Sequence, residues 1–305
     1  MHFHGGDMSS IFNDLIGSMQ EDFGRRPSSL HAVLKSQPNL SAPLNPPAQT
    51  VALDSVVRRH EWGGSSHDWN CGELRGWHHE HDTYNSFNVG REDLRTFGSC
   101  NVTEGWECDI QDVVGLANSK SVLANFDTLD RMIETDFPEL ITPITADKLR
   151  TNLAHDEIRI LNREKTTDCF YRHLWDGRVF LVNGGGSRHF AAARYIAARL
   201  GTPVPLRGTL RTYAINEMAV ASLQRDFEMF VIDDSPNGGR AFHDAMKRFR
   251  AAYLWRSLPR PYLERIAIFL PRRDARSMKV SAVLREAGFF DFGLYLRSLA
   301  SCRRN

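Results

Sequence analysis

The sequence predicts an α+β protein built around a small mixed sheet and one central helix. Residues 175–208 carry the clearest pattern, in the order strand, glycine loop, helix and strand. Short runs of β-branched and aromatic residues precede and follow this stretch, and segments with apolar residues at helical spacing lie among them. We expect a loop-rich region before this core and a helical region after it.

Residues 1–50 are predicted to form a flexible arm with one short helix and a proline-rich linker. The helix is expected at residues 9–19, where a weak amphipathic pattern follows a serine. The next segment, residues 51–148, starts with loops and contains a helix predicted at residues 119–136. A second short helix, capped by Thr145, leads into the core.

Histidines cluster in the loop-rich part of this second segment. Imidazole and thiolate are the usual ligands of zinc, so the cluster is a candidate metal site. Its spacing matches no zinc finger or knuckle, and we favour a loop-rich surface with aromatic anchors and no bound metal. The cluster comprises His60, His67, Cys71, His78, His79 and His81.

The core is predicted at residues 149–236 as an alternation of short strands and helices. Three strands are expected first, at residues 156–161, 169–174 and 178–182. The later predicted elements are a helix at 190–200 that ends at Gly201, strands at 203–206 and 210–215, a helix at 216–227 and a strand at 229–232.

A glycine loop joins the strand at 178–182 to the helix at 190–200. Backbone N–H groups at a helix N-terminus attract anions, and the helix dipole adds to this attraction. The loop matches neither a Walker A motif nor a dinucleotide fingerprint, and an ordinary tight connection has the same composition. We expect Gly185 to adopt a positive φ and Gly186 to let a ligand approach the backbone. The candidate phosphate-binding residues are Asn183, Gly184, Gly185, Gly186, Ser187, Arg188 and His189.

The C-terminal segment, residues 237–305, is predicted to be basic and helical. It carries 15 Lys/Arg against 5 Asp/Glu, whereas residues 1–150 carry 12 against 22, and the whole chain has a net charge of +1. Either the two ends attract each other, or the basic segment meets a polyanion. A solvated helix face is the simplest interpretation, and a weak nucleic-acid contact through residues 240–276 is the alternative.

Cysteine usage and hydropathy suggest a cytoplasmic protein without a membrane partner. The five cysteines are odd in number and form no C-x-x-C motif, which favours reduced thiols. No apolar run reaches the roughly 18 residues that a membrane span needs. No secretory signal is apparent at the N-terminus. The oligomeric state is not predicted.

Residues 149–213 resemble the core of the ParB/sulfiredoxin superfamily. The match runs through GGSRHFAA at residues 185–192 and LGTPVP at residues 200–205. Aligned on the paired alanines, Ser187 stands where sulfiredoxin has its cysteine, and His189 where it has its arginine. A shift of one residue instead places Arg188 at the arginine position, and both registers stay open.

The resemblance implies a ParB/sulfiredoxin-like fold whose loop binds a nucleoside triphosphate, ATP or CTP, with Mg²⁺. It also implies phosphoryl transfer or nucleotide hydrolysis, which needs cations and a carboxylate that orients a nucleophile or Mg²⁺. Redox repair of the sulfiredoxin type is not expected, because a serine hydroxyl cannot replace the thiol. The alternative is a non-catalytic nucleic-acid-binding regulator or an interaction scaffold with a degenerate loop. The catalytic candidates are Asp156, Glu157, Asp168, Ser187 and His189.

Overall fold

The computed structural model describes residues 19–41, 43–64 and 71–302. These residues form two compact α+β units, each with its own five-stranded sheet, which confirms the mixed α+β class. The first unit takes the described residues up to Asn45, from Glu61 to Phe97 and from Asn216 to Ser301. The second takes those of Pro46–His60 and Gly98–Ile215, with Cys302. The helix predicted at residues 9–19 lies outside the described residues except for Met19.

The first unit has an antiparallel sheet with the strand order β2-β1-β9-β10-β8, where elements are numbered along the chain. Its strands are β1 (Glu73–Glu80), β2 (Thr83–Gly90), β8 (Phe227–Asp233), β9 (Tyr253–Ser257) and β10 (Arg265–Pro271). Its helices include α1 (Ser28–Ser36), α2 (Glu92–Arg95), α7 (Glu217–Asp226), α8 (Pro236–Phe249), α9 (Ala275–Glu286) and α10 (Phe292–Ala300). The buried side of α8, with Phe242 and Phe249, joins Phe230 and Ile268 of the sheet in one apolar core.

The C-terminal segment is therefore not helical throughout, as the sequence pattern had suggested. Residues 253–257 and 265–271 are the strands β9 and β10, although residues 262–270 were predicted to be helical. Every residue from Ile266 to Leu270 is buried. A short, continuous apolar run fits a buried strand and a buried helix equally well, so periodicity alone cannot separate them.

The second unit has a mixed sheet with the order β3-β7-β5-β6-β4. The pairs β4–β6 and β5–β7 are parallel, and the other two pairs are antiparallel. Its strands are β3 (Gly98–Asp109), β4 (Val113–Leu116), β5 (Cys169–His173), β6 (Val179–Val182) and β7 (Pro205–Ile215). Its helices include α3 (Leu129–Asp136), α4 (Ala146–Leu153), α5 (Arg159–Asn162) and α6 (Ser187–Leu200).

Helix α6 is the central helix of the second unit. Phe190, Ala193, Ile196 and Ala197 of this helix are buried in the apolar core that α3 and α4 help to form. The predicted end at Gly201 is confirmed, since that glycine has a φ of +62° and takes the left-handed conformation of a helix C-cap. The buried stripe anchors α6, so its N-terminus has a fixed position at one edge of the sheet.

Three elements of the second unit differ from the sequence prediction. Residues 156–161 form a turn and the short helix α5 instead of a strand, because the Asn162 side chain donates to the carbonyls of Leu153, His155 and Ile158 and closes the chain on itself. The helix predicted at 119–136 begins only at Leu129. The two strands predicted at 203–206 and 210–215 are one strand, β7.

The cap predicted for α4 is confirmed, since the Thr145 side chain accepts the N–H of Lys148 at 3.2 Å. No helix in the described ranges is both long and apolar enough to cross a bilayer.

Candidate functional site

A polar cavity of about 450 Å³ lies in the second unit. Two loops form much of it, one after β4 and one after β6, and these strands are parallel neighbours. Since the carboxyl ends of adjacent parallel strands share one edge of a sheet, the two loops meet there. The residues that line the cavity are Asn118, Ser119, Lys120, His155, Glu157, Asn183, Gly184, Gly185, Gly186, Ser187, Arg188 and His189.

Asn183 holds the glycine loop against the loop after β4. Its side chain is buried, and Nδ2 donates to the carbonyls of Asn118 at 3.1 Å and Gly185 at 3.0 Å. Its Oδ1 accepts the Asn118 N–H at 3.2 Å, and the Asn118 side chain donates to the Asn183 carbonyl at 2.9 Å. The Asn183 amide is thus committed to shaping the cavity.

Asp168, the residue directly before β5, supports the glycine loop. Its Oδ1 accepts the Gly184 N–H at 2.8 Å, and the residue is only 5% exposed. Burial raises the pKa of this carboxyl, and the Gly184 bond and the charge of Arg159 act against that rise. Asp168 is not among the residues that line the cavity, so its contact with the site is through the backbone of Gly184.

The positive φ of the loop lies at Gly186, at +68°, and not at Gly185 as the sequence predicted. A Cβ at Gly186 would stand 2.5 Å from the Glu157 carbonyl oxygen and 2.7 Å from the Ile158 nitrogen. The close approach at Gly186 is therefore to the backbone of the protein itself and not to a ligand. A Cβ at Gly185 would instead meet the Glu157 carboxylate. Gly185 and Gly186 thus both lack the Cβ that would collide with the turn at Glu157 and Ile158.

The start of α6 presents a row of backbone donors. Gly186 caps the helix without any side-chain hydrogen bond, and the first helical bond runs from the Phe190 N–H to the Gly186 carbonyl. Within the part of the chain that the structure describes, five N–H groups here have no acceptor. They belong to Gly185, Gly186, Ser187, Arg188 and His189.

Charged side chains of both signs surround these donors. Lys120 and Arg188 contribute positive charge to the lining, and the Arg188 guanidinium lies 4.9 Å from the centre of the Phe137 ring. The Glu157 carboxylate accepts from Arg159 at 3.0 Å and lies 3.7 Å from Arg163. Because Glu157 is balanced by these arginines, Lys120 and Arg188 leave the cavity positive.

Three further candidate residues take different places around the cavity. Ser187 is buried, and its hydroxyl donates to the Ser119 hydroxyl at 3.2 Å. The His189 ring stacks on the His155 ring, with 3.8 Å between centroids, and burial lowers its pKa. The Asp156 side chain is 84% exposed and does not line the cavity.

One comparison with known proteins identifies a family. The model described as "Family of unknown function (DUF6685)" matches residues 103–304, which is about two thirds of the chain. The chain belongs to the DUF6685 family. The matched range includes every residue that lines the cavity. No curated protein and no solved structure matches the chain.

Sequence reasoning missed two parts of the cavity in this DUF6685 protein. One is the loop at Asn118, Ser119 and Lys120, and the other is His155. The available signal for the loop was a short apolar run, residues 113–117, followed directly by three polar residues. This run indicates a cavity loop only when β4 is known to pair in parallel with β6, and that pairing joins segments that are distant in the sequence.

The histidine cluster of the DUF6685 chain is divided between the units. His60 belongs to the second unit, where its ring stacks on the Tyr213 ring with 4.3 Å between centroids. The centroids of the His60 and His173 rings lie 5.4 Å apart. His78 and His79 lie on β1 of the first unit. His67 lies outside the described residues. Among the residues that the structure describes, no group of three or more His, Cys, Asp or Glu side chains is placed to hold a metal ion.

Several arginines of the basic segment bind acceptors of the protein. Arg256 donates to the Trp62 carbonyl at 2.7 Å, and Arg276 donates to the Phe249 carbonyl at 2.6 Å. Arg272 pairs with Glu228 at 2.9 Å. These contacts reduce the charge that residues 240–276 offer to a polyanion, and the nucleic-acid contact stays a prediction.

Proposed function

We propose that the second unit binds the phosphates of a nucleoside triphosphate in the cavity at the start of α6. The observation that carries this proposal is the run of backbone N–H groups at residues 185–189 that have no acceptor among the described residues. Water satisfies such groups in an empty site, and an anion satisfies them better, because the helix dipole contributes about half a positive charge at this end.

The charge of the lining supports an anionic ligand. Lys120 has no ion pair among the described residues and faces the same cavity as Arg188. A lysine supplies a compact point charge and an arginine a planar fork of donors, and both are common phosphate-binding groups. Together with the backbone donors they suit several phosphate oxygens, as a triphosphate provides.

The ParB/sulfiredoxin resemblance is the reason for naming a nucleotide. The order of a strand, a glycine loop and an alanine-rich helix is present as β6, the loop at 183–186 and α6, beside a strand that begins at Pro205. ATP and CTP are the nucleotides that the resemblance favours. The ParB/sulfiredoxin-like fold itself belongs to this proposal.

Glu157 is the residue that would hold the Mg²⁺ of such a nucleotide. It is the only carboxylate among the residues described as lining the cavity, and Mg²⁺ prefers carboxylate and phosphate oxygens. Bound there, Mg²⁺ would neutralise phosphate charge. Asp168 keeps the loop in place and Asp156 points to solvent, so neither carboxylate reaches the cavity as Glu157 does.

Phosphoryl transfer or nucleotide hydrolysis is the finer part of the proposal. Glu157, the carboxylate in the lining, would accept a proton from a nucleophile or orient the nucleophile through Mg²⁺. All five cysteines are free thiols, which is compatible with the cytoplasmic location that the proposal assumes.

Isothermal calorimetry with ATP, CTP, GTP and UTP, each with and without Mg²⁺, tests the proposal. We expect wild-type protein to bind at least one nucleotide, and Arg188→Ala and Lys120→Ala to weaken binding by about 10-fold, as loss of a charged hydrogen bond does. Arg207→Ala is the matched control, because Arg207 is an exposed arginine on β7 of the same unit. If wild-type protein binds no nucleotide at millimolar concentration, the proposal is wrong.

A further inference from the structure

Asn152 fixes the protonation of the His189 ring. The Asn152 side chain is 2% exposed, and its Nδ2 donates to the carbonyls of Leu140 at 2.9 Å and Lys148 at 3.1 Å. The amide cannot be reversed, since its oxygen would then face two carbonyl oxygens. Its Oδ1 lies 2.9 Å from His189 Nδ1 and must accept a proton from it. His189 therefore carries its proton on Nδ1.

The neighbouring His155 has the opposite arrangement. The backbone N–H of Glu157 donates to His155 Nδ1 at 3.3 Å. A backbone N–H can only donate, so His155 Nδ1 must be unprotonated, and the neutral ring carries its proton on Nε2. The turn that brings Glu157 into the cavity therefore also sets the tautomer of His155.

The surroundings keep the His189 ring neutral. Burial lowers the pKa of His189, and the neighbouring His155, Arg188 and Lys148 lower it further. Glu157 also lines the cavity, but its carboxylate pairs with Arg159. A neutral His189 with its proton on Nδ1 leaves a lone pair on Nε2. No hydrogen bond to that atom occurs among the described residues.

We propose that the stacked pair recognises a sugar hydroxyl of the nucleotide, with His155 Nε2–H as the donor and His189 Nε2 as the acceptor. This rests on the proposed nucleotide function, because it names a second group that the same cavity takes. One hydroxyl oxygen both accepts and donates, so it matches one donor and one acceptor on stacked rings. An anion at this position would be repelled by the lone pair of His189, and a cation would be repelled by the N–H of His155.

The tautomers are measured by long-range ¹H–¹⁵N correlation spectra of the full chain at pH 7.5. We expect a protonated Nδ1 in His189 and a protonated Nε2 in His155. Asn152→Leu removes the acceptor and should release His189 into a mixture of tautomers, whereas Asn101→Leu, on the exposed part of β3, should change neither ring. Should Asn152→Leu not fold, the wild-type spectrum alone decides, and reversed tautomers in either ring overturn the proposal.

Calorimetry with ribonucleotides and their 2′-deoxy and 3′-deoxy forms measures the recognition. For one of the two positions we expect binding to weaken by about 5- to 100-fold, because the deoxy form loses two neutral hydrogen bonds, and equally for ATP and CTP. His189→Phe removes the acceptor and leaves the His155 donor, so it should lower the ratio to about 3- to 10-fold, and His79→Phe, on β1 of the first unit, should leave the ratio unchanged.

Inorganic tripolyphosphate separates this proposal from the phosphate site. If tripolyphosphate and all nucleotides bind but the sugar makes no difference, or the difference depends on the base, hydroxyl recognition is wrong and the phosphate site stands. If neither tripolyphosphate nor any nucleotide binds, both proposals fail.

Discussion

The side chains of Asn118 and Asn183 each form hydrogen bonds with the main chain of the other residue. The Asn183 side chain donates to the Asn118 carbonyl and accepts the Asn118 N–H, while the Asn118 side chain donates to the Asn183 carbonyl. Parallel strands β4 and β6 end at the same sheet edge, and this reciprocal pair fixes the distance between the loops that follow them. Hydrogen bonds within the protein thus shape this part of the cavity.

Replacing Asn183 should therefore destabilise the second unit. Asn183→Ala removes three side-chain hydrogen bonds and leaves buried backbone groups without partners, which should cost about 2–4 kcal/mol of unfolding free energy. Urea unfolding measures the loss. Asn101→Ala, at an exposed position of β3, is the control and should lie within about 0.5 kcal/mol of wild type. Equal stability of the two variants would contradict the stabilising role of the Asn118–Asn183 hydrogen bonds.

The glycines of the loop should differ in their tolerance of alanine. Gly186→Ala faces both an unfavourable positive φ and a collision with the Glu157–Ile158 backbone, so we expect a loss of about 2 kcal/mol or more. Gly201→Ala isolates the conformational cost, since Gly201 has a φ of +62° and open space around its Cα, and it should lose only about 1 kcal/mol. Thermal melts compare the two. A smaller loss for Gly186→Ala than for Gly201→Ala would show that the backbone contact is not limiting.

The buried histidines of the second unit should make stability fall in mild acid. Burial lowers the pKa of both His60 and His173 to about 4, from 6.5 in the unfolded chain. Between pH 6.5 and 4 the unfolded chain binds more protons, so stability decreases as pH falls through this window and is level above it. At pH 4.5 each histidine should contribute a loss of about 2 kcal/mol.

A variant pair tests the assignment of that acid sensitivity. His173→Phe keeps an aromatic ring beside Tyr213 and should remove about half of the dependence on pH. His81→Asn is the control, because His81 is exposed in the turn after β1 and asparagine tolerates its positive φ of 46°. Urea titrations at several pH values give the slopes. An unchanged slope in His173→Phe would rule out this residue as the source.

The hydrogen bond of Asp168, not its charge, should be what the loop requires. Burial raises the pKa of Asp168, so its ionised form is disfavoured in the folded state, and the contribution of this one residue to stability increases as pH falls through the raised pKa, opposite in sign to that of the histidines. Asp168→Asn keeps an oxygen for the Gly184 N–H and should be at least as stable as wild type at pH 7. Asp168→Ala should lose about 1–3 kcal/mol. Chemical unfolding decides, and an asparagine variant as unstable as the alanine variant contradicts this reasoning.

The sequence predicted those elements whose signal is local. Helix α6 and its end at Gly201 followed from apolar spacing and a terminal glycine, and the Thr145 cap followed from residue type. The strand predicted at 156–161 was wrong because the Asn162 side chain, outside the alternating pattern, bends the segment into α5. Strand β10 was missed because its core residues are apolar on both faces.

The site was predictable only on one side. The glycine loop is continuous in the sequence, so all seven of its candidate residues could be named, and the structure places them in one cavity lining. Lys120 and His155 reach the same cavity only through the pairing of β4 with β6 and the turn before α5. Such long-range register is set by packing and not by local propensity, so a single sequence does not reveal it.

The interleaving of the two units along the chain sets an order for their completion during synthesis. A nascent chain that has reached Ile215 contains every strand of the second sheet, but it lacks β8, β9 and β10 of the first. Until β9 is synthesised, β1 and β2 can form only a two-stranded hairpin, because the next neighbour of β1 in the sheet is β9. A lone hairpin is only marginally stable in water. The cavity-bearing unit therefore has all five of its strands by residue 215, when the sheet of the first unit still lacks three, and a chain stalled at this point would expose the edge of β1 to other chains.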